Sequence, residues 1–148
     1  MLKYIEIGGG LHHDRSAEWA NLDPFFGEDP WRRYAEHEGW PAADDSIEVV
    51  YASHVLEHIP AGKPRINVFN EAYRVLIPGG LFSIRVPRFP LPESVSDPTH
   101  VSFFVEDSFV YFTNPPESGL FFHTWEMFAI LSQGIEIICQ LRKPRSER

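Results

Sequence analysis

Cysteine is nearly absent: Cys139 is the only one among 148 residues. No intrachain disulfide can form, and no cysteine-based zinc site is available. Cys139 sits in an apolar run, so it reads as a buried thiol rather than a reactive one. Basic residues are also scarce, 13 against 21 acidic, for a net charge of -8. A broad nucleic-acid surface is normally basic, so nucleic acid is not the expected partner. Four of the basic residues, Arg142, Lys143, Arg145 and Arg148, crowd the last seven positions and read as a solvated, frayed terminus. Long apolar runs are missing, which argues against a membrane span. Met1 leads almost directly into a strand-like run with no signal-peptide core, so a cytoplasmic protein is expected. Repeats, low-complexity stretches and linkers are missing too, which fits one domain over residues 1–148.

What is present is an alternation of strand and helix patterns. Leu2 to Ile7 is strand-like and ends in Gly8-Gly9-Gly10. Trp19 to Asp23 reads as a second short strand stopped by Pro24. Asp29-Pro30 would cap and open a helix running to about Glu38. Ile47 to Ala52 is a buried strand, and Ala61 to Leu76 has helical spacing. Pro78-Gly79-Gly80 breaks that helix, and Leu81 to Val86 is the next strand. Arg88 to His100 reads as a loop, and Glu106 to Tyr111 as a short helix. Thr124 to Leu131 and Ile135 to Leu141 read as a hairpin. The order implies an α/β fold with a mainly parallel sheet and an antiparallel C-terminal hairpin.

Ligands of such sheets bind outside the carboxyl ends of the strands. The glycines after the first strand let a backbone come close to a ligand. Asp23, at the end of the second, offers a carboxylate able to accept from two ribose hydroxyls. Gly10 and Asp23 are thirteen positions apart, shorter than the roughly twenty of a dinucleotide fingerprint. His13 occupies the third glycine slot of that fingerprint. The first crossover is therefore shortened, and a ligand without a pyrophosphate fits better than a nicotinamide dinucleotide.

Four phrases then stand in order: Glu6-Ile7-Gly8-Gly9-Gly10, Trp19-Ala20-Asn21-Leu22-Asp23, Asp45 to Ile59 with Ser53-His54-Val55-Leu56-Glu57-His58, and Glu71 to Phe82. Together they resemble the small, type 11 group of class I S-adenosylmethionine-dependent methyltransferases. Asp97-Pro98-Thr99-His100 with Phe103-Phe104 resembles a segment after the fifth family strand. The resemblance implies a Rossmann-like class I methyltransferase fold and S-adenosylmethionine as cofactor. It implies that Glu6, Gly8, Gly9 and Gly10 line the methionine portion, that Asp23 binds the ribose, and that Glu38 to Trp40 falls beside the adenine. Ser53 and His54 would lie beside the sulfonium. His100 and His54 are the candidate bases for an acceptor, with Asp97 orienting. The family's third strand is hard to find between Asp29 and Pro41. These departures leave a second reading open, a degenerate fold acting as a binding or assembly module.

Several residues carry two readings. His54-Val55-Leu56-Glu57-His58 also fits the H-x-x-E-H zinc peptidase pattern, although the sequence sets no third ligand, and no metal site is expected. Glu57 and His58 would otherwise decorate a helix start. His12 and His13 could cover the cofactor or face water. His100 could be a base or a hydrogen-bonded loop residue, and His123 reads as structural. Nine aromatics between Phe103 and Phe128 exceed what a short helix and a hairpin can bury. Some are expected to line a pocket for a small-molecule or protein acceptor, or a homodimer face.

Overall fold

The computed structural model describes residues 1–12 and 16–146, without the side chain of His12. His13 lies outside the described residues. Six strands form one sheet: β1 (Tyr4–Ile7), β2 (Trp19–Leu22), β3 (Ile47–Ser53), β4 (Leu76–Pro87), β5 (Glu126–Gln133) and β6 (Glu136–Arg142). Their spatial order is β2-β1-β3-β4-β6-β5. β2, β1, β3 and β4 are parallel, and β6 pairs antiparallel with both β4 and β5. The fold class is as the sequence implied, including the closing hairpin around Gly134 (φ 59°).

Alternation of apolar residues decides which face of the sheet is buried. Ile5, Ile7, Val50, Ala52, Phe82, Ile84, Val86, Ile137, Cys139 and Leu141 all join one core cluster. Helix α1 (Lys63–Val75) lies against them through Val68, Phe69, Ala72 and Val75, all inaccessible. Gly62, at φ 82°, starts the helix, and Pro64 occupies its first turn, where a missing N–H costs nothing. Leu76 turns to extended backbone and ends it. Two one-turn helices, α2 (Pro92–Val95) and α3 (Asp107–Val110), follow. Phe112, just past α3, stacks on Phe69 with ring centres 3.7 Å apart, which puts this segment on the α1 side. The intervening strand residues, such as Glu6, Tyr51, Ser83 and Arg85, are half-buried or exposed. Among the described residues the sheet thus carries helices on one face only, where doubly wound sheets carry them on both.

The first crossover is a 3-10 turn, Gly10–His12, with no α-helix among the described residues. On the bare face the rings of Tyr4, Trp19 and Tyr51 pack in a row instead, at 4.9 and 5.3 Å. The expected helix from Asp29 to Glu38 does not form, and residues 24–46 contain no helix or strand. The family's third strand is therefore missing, and β2 is an edge. The cause is competition for the backbone from side chains near in sequence and on α1. Arg32 donates to the Gly27 carbonyl, and Arg33 to those of Glu38 and Gly39. Glu71 of α1 accepts from the N–H groups of Gly39 and Trp40. Arg74 is bonded to Glu71, donates to the Trp40 and Ala42 carbonyls, and pairs with Asp44 at 2.9 Å.

The basic tail is not frayed through its first half. Lys143 is 7 % exposed, and its ammonium donates to Asp45 and to the carbonyls of Tyr73 and Leu76. Three acceptors in a fixed frame explain how a lysine can be buried here. Cys139 is inaccessible, and burial pushes its thiol up to about 12. No helix among the described residues is long and apolar enough to cross a membrane.

Candidate functional site

The strand order reverses between β1 and β3, since β2 lies on the far side of β1. Crevices form at such switch points because neighbouring connections leave in opposite directions. Here a cleft of about 310 Å³ opens at the carboxyl ends of β1, β2 and β3. Gly8, Leu22, Asp23, His54, Val55 and His58 line it on the sheet side, and Phe25, Tyr34 and Glu36 on the other. A larger cavity, about 540 Å³ between Tyr73, His123 and Trp125, takes no residue from those strand ends.

Gly8 is required where it stands. Its φ is 64°, and a Cβ there would lie 2.7 Å from Val55 Cγ2. Gly10 also has positive φ, but a Cβ there would meet nothing within 4 Å among the described residues. The loop is stapled to β2: Gly9 N–H donates to Asn21 Oδ1 at 2.9 Å, and Gly10 N–H to Asp23 Oδ2 at 3.1 Å. The Asn21 amide donates back to the Gly10 carbonyl at 3.1 Å. Asp23, 5 % exposed, also accepts from Phe25 and Phe26 N–H on Oδ1, at 2.8 and 2.9 Å. A carboxylate has about four lone-pair positions. Three are occupied by the protein itself, so the reading of Asp23 as a double acceptor for ribose narrows to one open position on Oδ2.

Other sequence candidates scatter. Glu6 is half-buried on the sheet and does not line the cleft, and Ser53 is exposed outside it. Glu38 is exposed and gives only its carbonyl to Arg33, while Trp40 is buried in the core. Tyr34 to Glu36 line the cleft where Glu38 was expected. Phe25 and Tyr34 meet there edge-to-face at 6.4 Å, both largely exposed.

His54 follows β3 in a left-handed conformation, φ 54°. Its Nε2 bonds to Glu136 of β6, and its Nδ1 lies 3.6 Å from Glu57. Glu136 is 82 positions away in sequence, and only the β4–β6 pairing brings it there. Because His54 precedes the 3-10 turn Leu56–His58, the two histidines do not share a helix as the peptidase pattern requires. Glu57 is 2 % exposed, and burial pushes its carboxyl above the ordinary value. His100 is not on the cleft wall. Its side chain is 8 % exposed, with Nδ1 2.9 Å from the Ser94 carbonyl and Nε2 3.6 Å from Asp97. Asp97 is held below its usual range by the Thr99 hydroxyl and N–H. His123 stacks on Tyr73 at 3.9 Å, a structural role as expected.

The fold, a mainly parallel sheet closed by an antiparallel hairpin, matches solved structures. A methyltransferase from Archaeoglobus fulgidus, described as S-adenosylmethionine-dependent, superposes with a TM-score of 0.67 at 12 % identity, over 96 % of this chain and 86 % of that one. The chain has the class I methyltransferase fold. The N-methyltransferase NodS from Bradyrhizobium japonicum, in complex with S-adenosyl-L-homocysteine, gives 0.63 at 12 % identity, over 97 % and 78 %. A complex between the Haloferax volcanii Trm112 methyltransferase activator and a protein described as a methyltransferase gives 0.64 at 10 % identity, over 99 % and 83 %. The type 11 family model, described as "Methyltransferase domain", matches residues 27–84. That span holds β3, α1 and the start of β4, but neither the glycine loop nor Asp23. No curated protein matches the sequence. The sequence resemblance to class I methyltransferases therefore holds, within a methyltransferase fold trimmed on one face.

Proposed function

We propose that this protein binds S-adenosylmethionine in the switch-point cleft and transfers its methyl group to a small-molecule or protein acceptor. One observation carries the reading: Gly8, Asp23 and His54 follow three neighbouring parallel strands and line one cleft. The residues fit the cofactor. The open Oδ2 position of Asp23 suits a ribose hydroxyl. Gly8 and Gly9 would lie along the methionine portion. Phe25 and Tyr34, on the outer wall of the cleft, are placed to pack against the adenine.

The cofactor supplies a methyl group already activated by its sulfonium. The chain has to align an acceptor with it and exclude water. An acceptor oxygen or nitrogen that took the methyl group would have to give up a proton, and a base on the cleft wall would receive it. His54 is the base best placed on the cleft wall, held by Glu136. His100 and Asp97 stand farther back and act through neighbours. A thermal shift tests the binding half. Ligand at a hundred times its dissociation constant should add about 2.7 kcal/mol of stability.

The second reading is a non-catalytic binding or assembly module. The engaged N–H groups of the glycine loop favour it, and so does the bare sheet face. Of the similar structures, one is held by an activator protein. No thermal shift at millimolar S-adenosylmethionine would select this reading.

A further inference from the structure

Glu57 and His58 are left without a task by the cofactor reading, and His100 does not line the cleft. Glu57 Oε1 lies 3.9 Å from His58 Nε2. Glu57 Oε2 is buried and has no hydrogen-bond partner, although the residue is 2 % exposed. A buried carboxylate oxygen without a partner is costly unless something binds it. The rings of His58 and His100 meet edge-to-face at 4.8 Å. One ligand atom from each of the three residues lies within 4.8 Å of the other two.

The proton positions on both rings follow from their partners. Thr99 gives its single hydroxyl hydrogen to Asp97 Oδ1 at 2.7 Å. Toward His58 Nδ1, 3.0 Å away, that hydroxyl can therefore only accept, as can the Thr99 carbonyl at 3.2 Å. His58 Nδ1 must carry the proton. His100 Nδ1 faces the Ser94 carbonyl at 2.9 Å and must also donate. Each neutral ring then keeps its lone pair on Nε2. Histidines fixed through Nδ1 by oxygen acceptors, with Nε2 free, are the usual arrangement around a protein-bound metal.

We propose that Glu57, His58 and His100 bind one divalent transition-metal ion of the zinc class, with a coordination position open to the cleft. Two imidazoles and one carboxylate suit zinc and its neighbours better than magnesium or calcium, which take oxygen ligands. Zinc bonds of about 2.0–2.2 Å place ligand atoms roughly 3.4 Å apart. From separations of up to 4.8 Å the cluster would close by about 1.4 Å at its widest, a movement within reach of the 40 %-exposed His58 side chain. Asp97 Oδ2, 3.6 Å from His100 Nε2, is the nearest further oxygen. The H-x-x-E-H segment thus contributes Glu57 and His58 as ligands, not its two histidines, and the third ligand, His100, comes from the loop before α3. His58 also lines the cleft, so the ion would face an acceptor there. Resting on the methyltransferase reading, this names the acceptor class: a hydroxyl or phenol whose oxygen the ion holds and makes more acidic.

The test uses the full chain stripped with a chelator and titrated with cobalt(II), followed by visible absorption. One equivalent should give ligand-field bands, displaced by one equivalent of zinc. Glu57→Gln and His100→Gln should each weaken cobalt binding at least a hundredfold while unfolding cooperatively on heating. Zinc-edge X-ray absorption of the unmutated protein should show two imidazoles, a readout independent of how the variants fold. No stoichiometric band at millimolar cobalt, affinity in either variant unchanged from the original protein, or a zinc shell without imidazole would overturn the site. The thermal shift with S-adenosylmethionine, run on the same metal-free sample, separates the two claims. A shift without metal binding removes only the metal, and metal binding without a shift removes only the methyltransferase reading.

Discussion

At the scale of single residues, Asp23 and Gly8 are doing structural jobs as well as the proposed binding ones. Asp23 satisfies the N–H groups of Gly10, Phe25 and Phe26. Removing a buried acceptor leaves such donors unpaired, at roughly 1–3 kcal/mol each when water cannot reach them. Asp23→Ala should therefore lower the unfolding free energy of the ligand-free protein by about 2–3 kcal/mol. Urea denaturation checks this, and an unchanged midpoint would mean that the carboxylate serves only a ligand. Gly8→Ala should cost about 2 kcal/mol, from its positive φ and from the Val55 methyl. Val55→Ala in the same chain should recover the steric part and leave the backbone part, a result a double-mutant cycle reads directly. His54 belongs at this scale too. His54→Gln should lower turnover by about 10²–10⁴, the range of a lost general base, while cofactor binding by calorimetry stays close to the original.

At the scale of elements, the stretch from Phe25 to Ser46 is the instructive one. Asp29-Pro30 and Gly39 give sound helix-boundary signals, but propensity is a weak prior against competing bonds. The residues that overrule it, Glu71 and Arg74, lie on α1 some thirty positions away, and nothing local announces them. Glu71 reverses the usual effect of burial. Desolvation raises its carboxyl, yet bonds from Arg74, Trp40 and Gly39 outweigh that and hold it below its ordinary 4.5. A group lowered on folding stabilises fully above its unfolded value and loses that contribution as pH falls through the folded one. Glu71→Gln should thus be destabilising by about 2–3 kcal/mol near neutrality. The gap from the unmutated protein should close as melts are taken below pH 4.5. The strands, α1 and the hairpin were legible because each buries one periodic face. The site was legible only in part, because the glycine loop, Asp23 and His54 are consecutive with strand ends. Glu136 and the engaged state of Asp23 depend on contacts 82 and 13 positions away. The buried Glu57 looked like a surface residue because charge seldom goes inside unaccompanied.

At the scale of the whole molecule, one sheet face and the β5 edge lack cover among the described residues. Phe104, Phe109, Phe112 and Trp125 are core, while Phe103, Tyr111, Phe122 and Phe128 stay largely exposed. The aromatic excess is thus split between interior and surface. A homodimer through the exposed set is expected, and light scattering at micromolar concentration reads it directly. Phe128→Lys should shift the mass toward the monomer if the β5 edge takes part. The strand order has one more consequence. β5 reaches the sheet only through β6, whereas β1, β3 and β4 are each held on both sides. Opening should therefore begin at the hairpin and spread inward, and amide protons should report it as a gradient. Those of β5 should exchange with heavy water first, those of β6 next, and those at the β1–β3 seam only when the whole chain unfolds.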